Sequence, residues 1–387
     1  ESKMKISQRS AELPASGIRK MFELSAKFND VINLCIGEPD FETPSNIIDA
    51  GCYALKNGYT KYVSNSGLPQ LREAVALKAK NVNHIDCTKE NVMITNGAGQ
   101  SLMSVLQCLV NPGDEVLIPD PSFPNYLGYI KLAGAKIVPI QTFEEDHFHI
   151  KAENIEPYIT PKTKILLLNS PANPTGAVLQ KKELQQIGEL AKTFHFYIIS
   201  DEPYESILYD GKEYCSIASL PGMFERTVTV NSFSKSYAMT GWRVGYTIGP
   251  TNLIHAMTVL QESLSSSVNA AAQFAATEAI SGKQDAVDKM RAAYEERRNY
   301  LVEHLNQIKG MSCIYPEGAF YAFANIKESG MSSFAFANRL IEECQIVTTP
   351  GTAFGEAGEG FIRISFSSGM PILEEAISRL QRKLGKK

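Results

Sequence analysis

Phe196-Tyr197-Ile198-Ile199-Ser200-Asp201-Glu202-Pro203-Tyr204 sets a nearly unbroken apolar run directly before a burst of polar residues. A short run of this kind, rich in aromatic and β-branched side chains, reads as a strand buried on both faces. Working outward, similar runs occur at Val92–Thr95, Glu115–Pro119, Lys136–Ile140, Lys164–Leu168, Thr227–Val230 and Val244–Ile248. Amphipathic stretches lie between several of them, at Gln100–Val110, Tyr126–Leu132 and Lys182–Thr193. Strand–helix alternation predicts a largely parallel sheet covered by helices on both faces. In such sheets ligands bind outside the carboxyl ends of the strands. The unusual polar clusters sit just there: Asn96-Gly97-Ala98-Gly99, Asp120-Pro121-Ser122-Phe123, Asn169-Ser170-Pro171-Ala172-Asn173, Asp201-Glu202-Pro203-Tyr204 and Asn231-Ser232-Phe233-Ser234-Lys235. All are expected to converge on one rim.

The chain has 387 residues, more than one core comfortably serves, since single cores stop growing at roughly 250–300 residues. The sequence predicts a large α/β domain over residues 46–290, with a mostly parallel sheet flanked by helices. A smaller α+β domain is predicted from both chain ends, residues 1–45 and 291–387. It takes in Val31–Ile36, a charged helix (Met290–Ile308), a helix around Ser332–Glu343, the strand-like Phe361–Phe366 and a last helix from Pro371 to Leu384.

A net charge of -4 offers no basic field to gather nucleic acid or an acidic membrane. No apolar run approaches the roughly 20 residues of a membrane helix. Glu1–Glu12 is polar and carries no secretory pattern. The seven cysteines are odd in number and form no C-x-x-C pair, which fits reduced thiols in the cytoplasm rather than a disulfide framework or a metal site.

Each cluster has a chemical reading and a plain one. Lys235 follows a strand, eight residues before Arg243. Desolvated near another cation it becomes a nucleophilic amine; otherwise it is a solvated loop lysine. Asp201 can hold a pyridine nitrogen protonated, or merely cap the next helix. Tyr204 and Asn173 offer donors to a phenolate oxygen, although Asn173-Pro174-Thr175-Gly176 is also a turn signal. Gly97-Ala98-Gly99 lies between a strand and a helix. Small residues there let backbone N–H groups of Ala98 and Gly99 reach one phosphate at the helix N-terminus, with Ser232 and Arg243 as further ligands. The spacing lacks the pattern of a dinucleotide loop. Arg363, inside the apolar Phe361-Ile362-Arg363-Ile364-Ser365-Phe366, can grip a carboxylate with both prongs or point to solvent from an edge strand. Chance would have to deliver all these plain readings together.

With these motifs in order, the sequence resembles the fold-type I, class I/II aminotransferases, the aspartate aminotransferase superfamily. The likeness runs from Ser16-Gly17-Ile18-Arg19 to the final helix and is strongest at Asn173–Gly176, Ser200–Tyr204, Ser232–Lys235 with Arg243, and Arg363–Ser365. It implies pyridoxal 5'-phosphate as cofactor, with Lys235 as the Schiff-base lysine and carrier of the substrate's proton. It implies that Asp201 pairs with the pyridine nitrogen, and that Asn173 and Tyr204 bond the 3'-oxygen. Ala98, Gly99, Ser232 and Arg243 would hold the phosphate, joined by Tyr62 from a neighbouring subunit, and Phe123 would stack on the ring. Arg363 and the backbone of Gly37 would bind the substrate α-carboxylate. A cytoplasmic homodimer with shared sites, acting on amino acids and 2-oxo acids without a metal, is what the resemblance implies.

Some aspartate enzymes of that superfamily grip the distal carboxylate with a partner arginine beyond the phosphate arginine, but no arginine occurs here between Arg243 and Arg291. Others carry a lysine where this chain has Gly99. Ile18, Phe123, Tyr126 and Phe320 are expected to form a pocket open to aromatic or apolar side chains, with aspartate-type donors the other option. Two rivals share the constellation: a carbon–sulfur β-lyase, which also proceeds through a Cα carbanion, and a cofactor-binding regulator without turnover.

Overall fold

The computed structural model describes residues 3–387. In chain order its strands are β1 (Ile32–Asn33), β2 (Val92–Thr95), β3 (Glu115–Asp120), β4 (Lys136–Gln141), β5 (Thr163–Asn169), β6 (Tyr197–Asp201), β7 (Thr227–Ser232), β8 (Gly245–Ile248), β9 (Tyr321–Asn325), β10 (Ile346–Val347), β11 (Thr349–Pro350) and β12 (Phe361–Ser365). Strands β2 to β8 form one seven-stranded sheet in the order β2-β8-β7-β6-β5-β3-β4. It is parallel throughout except at β8, which runs antiparallel to both β2 and β7. That exception follows from the connection: β7 and β8 are joined without a crossover helix, and only antiparallel neighbours permit this.

The apolar runs divide their side chains between two layers, as the period of a strand requires. Ile165 and Leu167 of β5 pack with Leu102, Val105 and Leu106 of the helix Gly97–Leu109. Leu166 and Leu168 point the other way, onto Leu184 and Ile187 of the helix Lys181–Phe194. Each such fully buried aliphatic side chain contributes roughly 1.5–3 kcal/mol. Continuous burial along β2 and β7 shows why these strands carry no alternating polar face.

The chain ends meet in a second core. β1 pairs in parallel with β10, and β11-β12-β9 form an antiparallel sheet. Met21 and Leu34 from the start of the chain pack with Leu301, Phe336, Ile362 and Leu373 from its end. The helix expected at Met290–Ile308 runs from Asp285 to Leu305. Its charge does not make it a solvated helix: Arg297 pairs with Asp40 and Arg298 with Asp210, each at 2.8 Å, and both arginines are buried. Among the described residues no helix is long and apolar enough to cross a membrane.

Candidate active site

The carboxyl ends of the parallel strands open into a cavity of about 570 Å³. Asp201 ends β6, Asn169 ends β5 opposite it, and Ser232 ends β7, so three neighbouring strands deliver polar residues to one rim. Ala98, Gly99, Phe123, Asn173, Tyr204, Lys235 and Arg243 also line the cavity, and the chain ends close it with Ile18, Gly37 and Arg363.

Lys235 lies in the loop after β7, its Nζ donating a hydrogen bond to the Gly37 carbonyl. Burial lowers its ammonium to about 8, and the positive charge of Arg363 acts in the same direction. The solvated-loop reading is thereby replaced by that of an amine ready to lose its proton. Asp201 is 4% exposed. Its Oδ2 accepts a hydrogen bond from Tyr126 Oη at 2.5 Å, while Oδ1 is buried without a partner. Burial pushes the carboxyl up to about 7, against the lowering effect of the Tyr126 hydrogen bond. An ionisable oxygen left unpaired at such depth is costly unless a ligand satisfies it.

Gly97 and Gly99 belong to the first turn of the helix Gly97–Leu109, which begins three residues earlier than the sequence pattern predicts. Gly97 adopts a φ of +75°, and a Cβ there would stand 2.4 Å from Arg243 Nη2. Only glycine therefore lets the guanidinium lie against the helix N-terminus, where backbone N–H groups and a cation together favour an anion. Arg243 is itself held by a hydrogen bond to the Thr240 carbonyl at 3.1 Å. A Cβ on Gly99 would meet Tyr129 Oη at 2.7 Å, so the space beside the turn is filled by a tyrosine.

Arg363 is on β12, the middle strand of its sheet, and is 2% exposed. It donates to Asn173 Oδ1 at 2.9 Å and to the Cys35 carbonyl at 2.8 Å, and its guanidinium carbon lies 4.3 Å from the centre of the Tyr321 ring. The edge-strand reading is thus wrong for this residue. Buried arginine held flat in this way presents a fixed fork to the cavity.

Two expectations change. Phe320 does not line the cavity; it is fully buried against Tyr204 and Tyr294, and Tyr321 takes its place in the wall. Phe320 lies just before β9 with its ring 4.9 Å from that of Tyr321, and it packs wholly into the core of the chain ends while the tyrosine also reaches the cavity. Tyr126 is not merely wall but the partner of Asp201. Tyr321 escaped the sequence reading altogether, since Gly318-Ala319-Phe320-Tyr321-Ala322-Phe323 has no polar–apolar alternation to set it apart. Tyr62 is 89% exposed and does not line its own chain's cavity.

Residues 29–380 match the family described as aminotransferase class I and II. Over 387 residues the chain is 42% identical to an aspartate aminotransferase of Pyrococcus abyssi, covering 99% of each chain. The chain belongs to the class I and II aminotransferases. It is 43% identical to aromatic-amino-acid aminotransferase 2 of Thermococcus litoralis, again over 99% of each chain. The crystal structure of an aromatic aminotransferase from Pyrococcus horikoshii matches it with a TM-score of 0.90 at 42% identity, over 94% of this chain and 98% of that one. The fold is that of the fold-type I aminotransferases, and the activity is transamination; nothing in these relatives favours a lyase. Enzymes of this family use pyridoxal phosphate. The residues of this aminotransferase fit that group, with an unpaired buried carboxylate oxygen, a desolvated lysine and a glycine–arginine anion cradle in one cavity.

Proposed function

We propose that this aminotransferase moves the amino group of an aromatic or apolar L-amino acid, with aspartate-type donors secondary, to a 2-oxo acid such as 2-oxoglutarate. One observation carries the substrate preference: the charged residues lining the cavity are Glu38, Asp201, Lys235, Arg243 and Arg363. Arg243 faces the phosphate cradle and Arg363 takes the α-carboxylate, so within one chain no cation remains for a second, distal carboxylate. Ile18, Phe22, Ile36 and Phe123 supply an apolar wall instead. Position 99 is glycine, so no lysine fills that gap, and the space beside it is taken by the Tyr129 hydroxyl. The named relatives divide between aspartate and aromatic substrates at nearly equal identity, so the cavity is the better guide.

Pyridoxal phosphate, when bound, supplies an electron-withdrawing pyridine ring that acidifies the substrate Cα–H. The chain's own residues do the rest. Asp201 Oδ1 would hold the ring nitrogen protonated. Asn173 and Tyr204 would bond the 3'-oxygen, Phe123 would lie against the ring, and Ala98, Gly99, Ser232 and Arg243 would hold the phosphate. Arg363 and the Gly37 backbone would fix the α-carboxylate, leaving Lys235 Nζ as the base that would take and return the substrate's proton.

The active form in this reading is a cytoplasmic homodimer with the Tyr62 hydroxyl completing the partner's phosphate site. Its support is the exposure of Tyr62, which does not line its own chain's cavity, together with the exposed Ile48 and Leu55, about two turns apart on one face of the helix Ser45–Lys56. All seven cysteines are free, which suits a reducing compartment. If the chain divides into residues 46–290 and the two chain ends, the cavity, lined by Lys235 and Asp201 as well as Ile18 and Arg363, would lie between the two domains. The test is kcat/KM for phenylalanine, tyrosine, leucine and aspartate with 2-oxoglutarate. Aspartate outrunning the aromatic donors refutes the substrate reading.

A further inference from the structure

We propose that Tyr321 is a positioning residue that aims the hydroxyl hydrogen of Tyr204 into the cofactor cavity. The proposal rests on the reading that Tyr204 bonds the cofactor's 3'-oxygen. Tyr204 Oη and Tyr321 Oη lie 2.8 Å apart, and neither hydroxyl makes another hydrogen bond among the described residues. Both tyrosines are buried, Tyr204 at 4% and Tyr321 at 1% exposure.

If Tyr204 donates to a ligand, a count of hydrogens requires Tyr321 to be the donor in this contact. Each hydroxyl has one hydrogen, and one hydrogen occupies the contact between the two oxygens. Were Tyr204 the donor, its hydrogen would be spent on Tyr321 and none would be left for the cavity. With Tyr321 as donor, the hydrogen of Tyr204 is free to point at a ligand oxygen. Accepting a hydrogen bond also polarises the Tyr204 hydroxyl and makes it a stronger donor.

Tyr321 is held for this task from three sides. Its ring meets Tyr204 edge-on with centroids 5.8 Å apart, and the Arg363 guanidinium lies 4.3 Å above its ring centre. A Cβ on Gly37 would stand 2.9 Å from Tyr321 Oη, so the glycine makes room for the hydroxyl. β12 pins the backbone through the pairing of Ser365 with Tyr321. The same tyrosine thus touches the donor to the cofactor and both elements of the proposed carboxylate clamp.

The test uses the full-length protein, Tyr321→Phe, Tyr204→Phe and the double variant, each reconstituted with pyridoxal phosphate. The visible absorbance of the bound cofactor is titrated with pH. A strong donor at the 3'-oxygen favours its anion, so weakening the donor makes the bound chromophore keep its proton to higher pH. Tyr321→Phe is expected to move the midpoint up by roughly half a unit, from the cooperative share of one hydrogen bond. It is expected to add nothing once Tyr204 is Phe, because Tyr321 acts through Tyr204. Phe retains the ring contacts, and a thermal melt checks that the fold is intact. A shift with Tyr204→Phe but none with Tyr321→Phe overturns the positioning role alone. An equal Tyr321→Phe shift in both backgrounds overturns it too, since the effect would bypass Tyr204. No shift with Tyr204→Phe refutes the underlying assignment of Tyr204.

Discussion

Tyr126 donates a 2.5 Å hydrogen bond to Asp201 Oδ2, leaving Oδ1 of the same buried carboxylate unpaired. The two oxygens are therefore distinguished before any ligand arrives. One is committed to holding the carboxylate in its ionised form, the other is free for a cation. Tyr126→Phe removes a hydrogen bond to a charged group, roughly 1.5–3 kcal/mol. Burial would then keep Asp201 protonated at neutral pH, and pyridoxal phosphate is expected to bind about tenfold or more weakly. Titration of the apoenzyme, followed by the fluorescence of Trp242, the single tryptophan, measures this. An unchanged Kd would show that Tyr126 is wall after all.

Covalent capture of the cofactor requires Lys235 as the free amine. Burial, reinforced by Arg363, lowers its ammonium from 10.5 to about 8. The rate of capture by apoenzyme, followed by stopped-flow absorbance, should rise with pH and level off above about 8. A rate still climbing toward 10.5, the ordinary lysine value, contradicts the desolvated site.

Arg363→Lys keeps the charge but loses the two-pronged geometry shown by the contacts to Asn173 and Cys35. KM should rise about tenfold to a hundredfold, roughly 1.4–2.8 kcal/mol, for amino acid and oxo acid alike. An effect confined to one donor would mean that Arg363 reads a side chain rather than the α-carboxylate.

His149 is buried between Glu183 and Glu317, with Lys212 on the far side of Glu317 at 3.0 Å. Burial alone would lower its pKa, but the two carboxylates prevail and raise it to about 9. Because the folded value lies above the unfolded one, the stabilisation is complete below the ordinary 6.5 and is lost as pH rises through about 9. His149→Gln should cost roughly 3 kcal/mol at neutral pH, as breaking a buried pair does, with the gap closing on the alkaline side. Denaturant unfolding at several pH values tests this; a deficit that widens with pH has the wrong sign.

The large sheet was legible because its strands are buried on both faces and write themselves as apolar runs; six of the seven runs fall within one residue of the observed strands at both ends. Asp201, Ser232 and Lys235 were legible for the same reason, as polar residues placed where those runs stop. What escaped depends on facing and pairing. The reversal of β8 follows from the absence of a crossover helix after Lys235. The exchange of Phe320 for Tyr321 turns on which of two touching, buried aromatic rings reaches the cavity, and nothing in the local pattern tells them apart. The bond between Tyr126 and Asp201 joins residues 75 apart in sequence, so no local pattern announces it. The helix starts at Gly97, three residues before the amphipathic pattern, because Gly97, Ala98 and Gly99 carry no large apolar side chain by which that first turn could be read.

The most direct test of the central claim, that Lys235 carries the cofactor for transamination, is the absorbance spectrum of the reconstituted protein before and after single amino acids are added. The account predicts a visible band that is absent in Lys235→Ala. With phenylalanine or tyrosine the band should bleach to the pyridoxamine form as one equivalent of oxo acid appears. A band that forms equally well without Lys235, or that persists while pyruvate and ammonia accumulate from cystathionine, would contradict it.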